Sequence, residues 1–141
     1  FSPEELENIS QIIDVILPET DSPSASQVDV HLIMDNMFDK VFTPHYKKMF
    51  MVSFKALIEH LSILEFTKKP VDQQVAALNQ IEHSKEVNKG YKAYIDIKQQ
   101  SIAYYLSNEK IAEKYLNYLP IPVAYTACIS VSEVGGKAWA E

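Results

Sequence analysis

The sequence predicts an all-α protein, a single domain over residues 1–141 with five or six helices and an extended C-terminal arm. Apolar residues recur at three- and four-residue spacing along most of the chain, as on one face of a helix. Three of the apolar runs begin at a proline, a common first helical residue. The residues after Pro120 instead combine a second proline with β-branched residues and tyrosine, which disfavours helix there.

The first three helices have clear starts. Ser2 and Glu5 form a capping box around Pro3, and Pro18 ends the helix that follows. Ser26 with Asp29 offers a second cap, and Thr43-Pro44 opens the longest helix. The predicted inner faces are Leu6, Ile9, Ile12, Ile13, Ile16 and Leu17; then Val30, Ile33, Met34, Met37 and Val41; then Tyr46, Phe50, Phe54, Leu57, Ile58, Leu61 and Leu64.

The second half of the chain repeats the pattern more weakly. Thr67 to Lys69 interrupts the helical period, and Pro70 starts a fourth helix. The period fades between His83 and Gly90 and returns from Tyr91, and a short amphipathic piece ends near Leu116. The predicted inner faces here are Val71, Val75, Leu78 and Ile81, followed by Tyr94, Ile95, Lys98, Ile102, Tyr105 and Leu106.

A polar joint, ILPETDSPSASQVDV, separates the first two helices. Pro18 and Pro23 restrict the backbone at its two sides, and the short side chains of Thr20 and Asp21 can bond nearby N–H groups. Two interpretations stay open at this stage. The joint is a rigid corner between helices, or it is a loop that contacts a partner.

Composition excludes several function classes. The 141 residues are 47% hydrophobic and 23% charged, which is typical of a globular chain. No apolar run approaches the roughly 20 residues of a membrane span. All 13 basic residues are lysines and the formal charge is −6, so the sequence argues against nucleic-acid binding. A chain that begins at Phe1 fits a removed export signal, and equally a truncation.

We find no catalytic, cofactor-binding or metal-binding pattern. The three glycines, at positions 90, 135 and 136, cannot form a nucleotide-binding fingerprint. Glu59-His60 and Glu82-His83 are adjacent pairs, not the Glu-x-x-His spacing of a di-iron bundle. The histidines, at 31, 45, 60 and 83, have no neighbouring nucleophile, and we expect structural roles for them.

Tyrosine and cysteine are the candidates for partner contact. Seven of the eight tyrosines lie between residues 91 and 125, toward the C-terminus, and tyrosine is enriched at protein interfaces. Cys128 has no second cysteine in the chain, so it is either a small buried side chain or a thiol for an intermolecular disulfide. The predicted partner-binding residues are Cys128, Tyr104, Tyr105, Tyr118, Tyr125 and Trp139.

Taken in order, these segments resemble the gluconate 2-dehydrogenase subunit 3 family. IIDVILPETDSPSA is similar to that family's helix followed by IPxTDTPGA. The match continues through VHLIMDNMFDKVFTPHYKKMF, PVDQQVAAL, KQQSIAYYLSNE and KYLNYLPIPVAY, and ends on AC followed by GGKAWA. Where members often have Gly after the proline of the joint and ahead of the second helix, this chain has Ser24 and Asp29.

The resemblance implies a non-catalytic accessory subunit. In this family's complexes a large FAD-bearing subunit of the glucose-methanol-choline type oxidises a sugar or sugar acid, and a multihaem cytochrome c often takes the electrons. The small subunit binds the flavoprotein and commonly carries a twin-arginine export signal, which assists the folded partner's export to the periplasm. The resemblance therefore implies a periplasmic or envelope location, with FAD and haem c in partner subunits and none in this chain.

Two alternatives from other classes stay open. A stand-alone helical enzyme or ligand-binding protein would gather titratable groups in a pocket. A self-associating structural protein would use its tyrosine-rich C-terminal part to form a homodimer. An accessory subunit would instead leave an apolar, tyrosine-rich surface exposed when isolated.

Overall fold

The computed structural model describes residues 1–84, 89–119 and 128–140. Within these ranges the chain forms six α-helices, which confirms the all-α prediction. They are α1 (Pro3–Ile16), α2 (Val30–Lys40), α3 (Pro44–Ile63), α4 (Val71–His83), α5 (Tyr91–Leu106) and α6 (Glu109–Tyr115). Two short 3₁₀ helices, Ser26–Val28 and Phe66–Lys68, lie in the connections before α2 and α4.

The predicted caps of α1 and α3 are confirmed. The backbone N–H of Glu5 donates to the Ser2 hydroxyl, and the backbone N–H of Ser2 donates to the Glu5 carboxylate at 2.8 Å. The Thr43 hydroxyl accepts from the backbone N–H of Tyr46. These side chains satisfy donors that helix geometry leaves unpaired, so the two starts are specified locally.

The predicted cap at Ser26 is wrong. Ser26 starts a 3₁₀ turn, and Asp29 follows in the left-handed conformation with φ of 60° immediately before α2. Ser26 does not cap α2; its backbone N–H and its hydroxyl both donate to the Asp14 carboxylate of α1, at 2.8 and 2.5 Å, and this holds the side chain toward α1. Asp29 therefore occupies a position that needs a positive φ, which Asp tolerates better than most residues.

Helix α5 lies at the centre of the bundle and contacts each of the other five helices. Its buried face includes Ala93, Ile97 and Ser101, each with no exposed surface. Ala93 and Ser101 are small, so neighbouring helices can approach closely. The start of α5 is especially tight, because a Cβ added at Gly90 would lie 2.6 Å from the Cα of Leu57 on α3.

Three other details differ from the sequence prediction. Val41, predicted on the inner face of the second helix, follows the end of α2 and is 59% exposed. Val71 and Val75 are 60% and 39% exposed, so only the later part of the predicted α4 face, Leu78 and Ile81, enters the core. The C-terminal arm is also not extended throughout, because residues 131–136 form a turn in which Gly135 and Gly136 adopt positive φ. The first part of the predicted arm, residues 120–127, lies outside the described residues.

Candidate partner-binding surfaces

The polar joint between α1 and α2 is attached to the rest of the fold by Tyr105. The hydroxyl of Tyr105 donates to the Pro23 carbonyl at 2.7 Å, and it lies 3.0 Å from the Ser22 hydroxyl. Tyr105 is only 8% exposed, and these bonds are partly buried. An interaction across more than 80 residues of sequence therefore holds the second half of the joint against α5.

Flanking helices supply further anchors to the joint. Asp14 of α1 accepts two hydrogen bonds from Ser26, and the Asn108 side chain, ahead of α6, donates to the Val28 carbonyl at 3.1 Å. Thr20 and Asp21 are exposed, and their side chains bond only within the joint, Thr20 Oγ1 to Asp21 Oδ1 at 3.1 Å and Thr20 to Ser22. The outer tip, Pro18 to Asp21, is therefore the part left facing solvent.

The predicted partner-binding residues do not form one surface. Tyr105 is buried in the corner and is therefore not available as an exposed contact residue. Tyr104 is partly buried against the core, which raises the pKa of its hydroxyl. Tyr118 and Trp139 are 51% and 50% exposed. Cys128 is exposed, which rules out the buried alternative for its thiol, and Tyr125 lies outside the described residues.

Asn117, which precedes Tyr118, joins this part of the chain to the backbone around Trp139. The backbone N–H of Asn117 donates to the Ala138 carbonyl, and the Asn117 carbonyl accepts from the Ala140 N–H. These two bonds form a parallel bridge between Asn117 and Trp139. The Asn117 side-chain amide donates to the carbonyls of Val134 and Lys137. We call residues 117–119 and 128–140 the C-terminal segment. Its exposed apolar residues are Tyr118, Leu119, Ile129, Val131 and Trp139.

A second apolar surface, on α3, was not predicted from the sequence. Met49, Val52 and Ile63 are 54%, 65% and 76% exposed, and they follow one side of the helix at spacings of three and eleven residues. Next to them lies a hollow of about 470 Å³ between α3 and α5, which we call the α3–α5 groove. Its lining includes Met49, Phe50, Val52, Ala56, Lys89, Lys92, Ala93 and Asp96.

Polar groups define one end of the α3–α5 groove. The Tyr46 hydroxyl donates to Asp96 Oδ2 at 2.8 Å and accepts from Gln100 at 3.2 Å. Burial, followed by the hydrogen bond to the Asp96 carboxylate and its charge, raises the pKa of Tyr46 well above its usual value. Tyr46 therefore stays protonated at physiological pH and acts as a donor to Asp96.

The methionines divide between core and surface. From the sequence, Met34, Met37, Met49 and Met51 could form a soft partner-binding surface, although methionines at helical spacing more often fill the core. Met34 is 2% exposed and Met51 packs against the core, whereas Met49 is half exposed. Met49 is the methionine that lines the groove, and its flexible side chain suits an adaptable contact.

The histidines and acidic residues do not gather into a metal site in the described part of the chain. No group of three His, Cys, Asp or Glu side chains there could hold a metal ion. His83 bonds the Asn79 carbonyl through Nδ1, and His31 Nδ1 is buried with no hydrogen-bond partner among the described residues. None of the helices in the described ranges is long and apolar enough to cross a bilayer.

Fold and surface define a small all-α protein with two exposed apolar surfaces, the α3–α5 groove and the C-terminal segment. The family model described as gluconate 2-dehydrogenase subunit 3 matches residues 3–123. The chain therefore belongs to the gluconate 2-dehydrogenase subunit 3 family, a family named for a subunit of a dehydrogenase complex. No curated protein and no solved structure shows a significant match to the chain.

Proposed function

We propose that this protein is the non-catalytic accessory subunit of a periplasmic, FAD-dependent sugar or sugar-acid dehydrogenase. Its partner is a large flavoprotein subunit of the glucose-methanol-choline type, which it binds and helps to mature or export. FAD belongs to that partner, and haem c to a cytochrome subunit that receives the electrons. The observation that carries this proposal is the family match over residues 3–123.

The exposed apolar surfaces support a binding role. Contact surfaces between subunits are enriched in aromatic residues and methionine and depleted in most charged residues. Tyr118 and Trp139 meet this description in the C-terminal segment, and Met49 meets it on α3. Burial of such side chains in a complex would remove apolar area from water, which favours association.

The experiment is affinity purification of the full-length protein from its native cell envelope under mild conditions. The bound chains are identified, and the absorbance spectrum is recorded for flavin and haem. We expect a large flavoprotein in near-equal amount. A protein that came out alone and colourless would contradict the accessory role, and would favour a ligand-binding protein or a homodimer instead.

Cys128 provides a second, covalent test of the same proposal. Its exposed thiol, in an oxidising compartment, is suited to a disulfide with a partner subunit. We expect non-reducing electrophoresis of the native complex to show a linked species that Cys128→Ser abolishes. A native complex without any linked species would contradict the bridge and leave non-covalent association to be judged from the purification.

A further inference from the structure

We propose that the α3–α5 groove receives an amphipathic helix of the flavoprotein subunit, with its apolar side on Met49 and Val52 and a carboxylate at Lys89 and Lys92. This inference rests on the proposed function, which supplies the partner chain. It adds the surface that is used, the secondary structure of the segment that binds there, and the sign of the charge beside its apolar face.

The shape of the surface favours a rod-like occupant. The groove shares Ala56 and Lys89 with a second hollow of about 470 Å³ that extends to Ile63. At about 1.5 Å per residue, the distance from Met49 to Ile63 along α3 is about 21 Å. Two adjoining hollows along this length of α3 match an amphipathic helix laid beside it, which makes contacts at three- and four-residue spacing.

The lining supplies the apolar contact. Met49 and Val52 form the outer side on α3, and Ala56 leaves room between them and the second hollow. Both larger side chains are more than half exposed in the isolated chain. An apolar face opposite them would bury these side chains, and each large aliphatic side chain covered in this way contributes to binding.

The charges at the groove favour an acidic partner segment. Lys89 and Lys92 line the groove with exposed side chains, and no acidic group in the described residues pairs with either of them. Asp96 of the groove accepts a hydrogen bond from Tyr46, and the other acidic residue, Glu59, lines the second hollow, whose lining does not include Lys92. On a chain whose formal charge is −6, this lysine pair is a local site where a carboxylate is attracted.

The test compares groove variants with matched variants elsewhere, using the flavoprotein subunit isolated from the native complex as the probe. Val52→Asp on α3 is matched by Val71→Asp on α4, because the two valines are 65% and 60% exposed. Lys92→Glu is matched by Lys110→Glu on α6, where the lysine is also exposed. Far-UV circular dichroism checks that all four variants keep the helical fold of the wild type.

We expect Val52→Asp to weaken binding at least about thirty-fold, as for a residue in the centre of an interface. Lys92→Glu should weaken binding about tenfold, mainly because association is slower. The affinity should also depend less on salt concentration. Val71→Asp and Lys110→Glu should bind like the wild type. Lys92→Glu reports on the groove independently of any effect of Val52→Asp on stability.

Four outcomes would overturn the inference. If wild type binds the flavoprotein and both groove variants bind equally well, the groove is not the contact and the accessory role stands. If wild type does not bind the flavoprotein, the proposed function fails and the groove fails with it. If Val52→Asp instead converts a wild-type dimer to monomer, or abolishes binding to phosphatidylcholine–phosphatidylglycerol vesicles, the occupant is a second copy or a membrane.

Discussion

The hydrogen bond from Tyr105 to the joint makes a quantitative prediction for Tyr105→Phe. The substitution keeps the ring, which is 8% exposed, and removes the hydroxyl that donates to the Pro23 carbonyl at 2.7 Å. Removing one partner leaves a partly buried carbonyl without its hydrogen bond, which costs about 2 kcal/mol. We therefore expect the free energy of unfolding to fall by about 2 kcal/mol.

For a chain of 141 residues, 1 kcal/mol corresponds to about 3 °C in the melting temperature. Tyr105→Phe should thus lower the melting temperature by about 6 °C, as followed by far-UV circular dichroism. The change should also be local, because the joint holds the backbone bond from Ala25 N–H to the Leu17 carbonyl. Hydrogen exchange at the Ala25 amide should accelerate before exchange in the centre of α5 does.

The matched control is Tyr104→Phe, the adjacent residue on the same helix. Tyr104 is partly buried, but its hydroxyl has no hydrogen-bond partner among the described residues, so its removal should change the free energy of unfolding by less than about 0.5 kcal/mol. Equal stabilities of the two variants would refute the assignment of Tyr105 as the anchor of the joint.

Three further predictions concern other parts of the fold. Gly90→Ala should destabilise the protein by about 2 to 3 kcal/mol in urea titration, because the new Cβ would lie 2.6 Å from the Leu57 Cα. Burial, then the charge of Glu82 and a hydrogen bond to it, raise the pKa of Tyr94 from 10.0 to about 12. The stability that this shift contributes is present below pH 10.0 and should be lost as pH rises to about 12. A Tyr94→Phe variant, which has no hydroxyl to titrate, should lose less stability between these two pH values. Asn117→Ala removes two hydrogen bonds to residues 134 and 137, so trypsin should cleave after Lys137 about tenfold faster while the melting temperature of the bundle stays unchanged.

Each of these predictions has a contrasting result. Gly135 has open space around it and a φ of 63°, so Gly135→Ala should strain only the turn, and an equal loss of stability at both glycines would contradict the close-approach argument. Stability that stays constant from pH 10 to 12 would contradict the Tyr94 prediction. Asn36→Ala removes a bond to Leu32 within α2, and it should leave cleavage after Lys137 unchanged.

The helices were predictable because their signals are local. The Ser2–Glu5 capping box and the Thr43 cap each involve residues three apart, and both are present in the fold. The Ser26–Asp29 cap has a similar sequence signature and does not form, because Asp14 is twelve residues away in sequence and binds Ser26 instead. A local pattern therefore predicts a cap correctly only when no distant group holds the capping side chain in another place.

The surfaces were less predictable, because amphipathic spacing identifies a core face and does not show what covers the other faces. The sequence contained the signal for the α3 surface, since Met49, Val52, Ala56 and Ile63 form a second apolar stripe beside the inner face. The sequence does not show whether another helix of the chain covers that stripe. In the fold, none of the described helices does. The periodicity also included Tyr105 on the inner face of α5, and its burial agrees with that placement.

The sequence by itself determined the fold class and the order and approximate ends of the helices, because short-range caps, prolines and apolar periods specify these. The family followed separately, from the ordered motifs that the family model matches over residues 3–123. Tertiary structure alone decided which of Tyr104 and Tyr105 holds the joint, and which stripe of α3 stays exposed. It also placed Ser53 of α3 so that its hydroxyl accepts from the Ala93 N–H near the start of α5. The physical reason is sequence separation: these contacts join residues 40 to 83 positions apart, and only the packed chain brings them together.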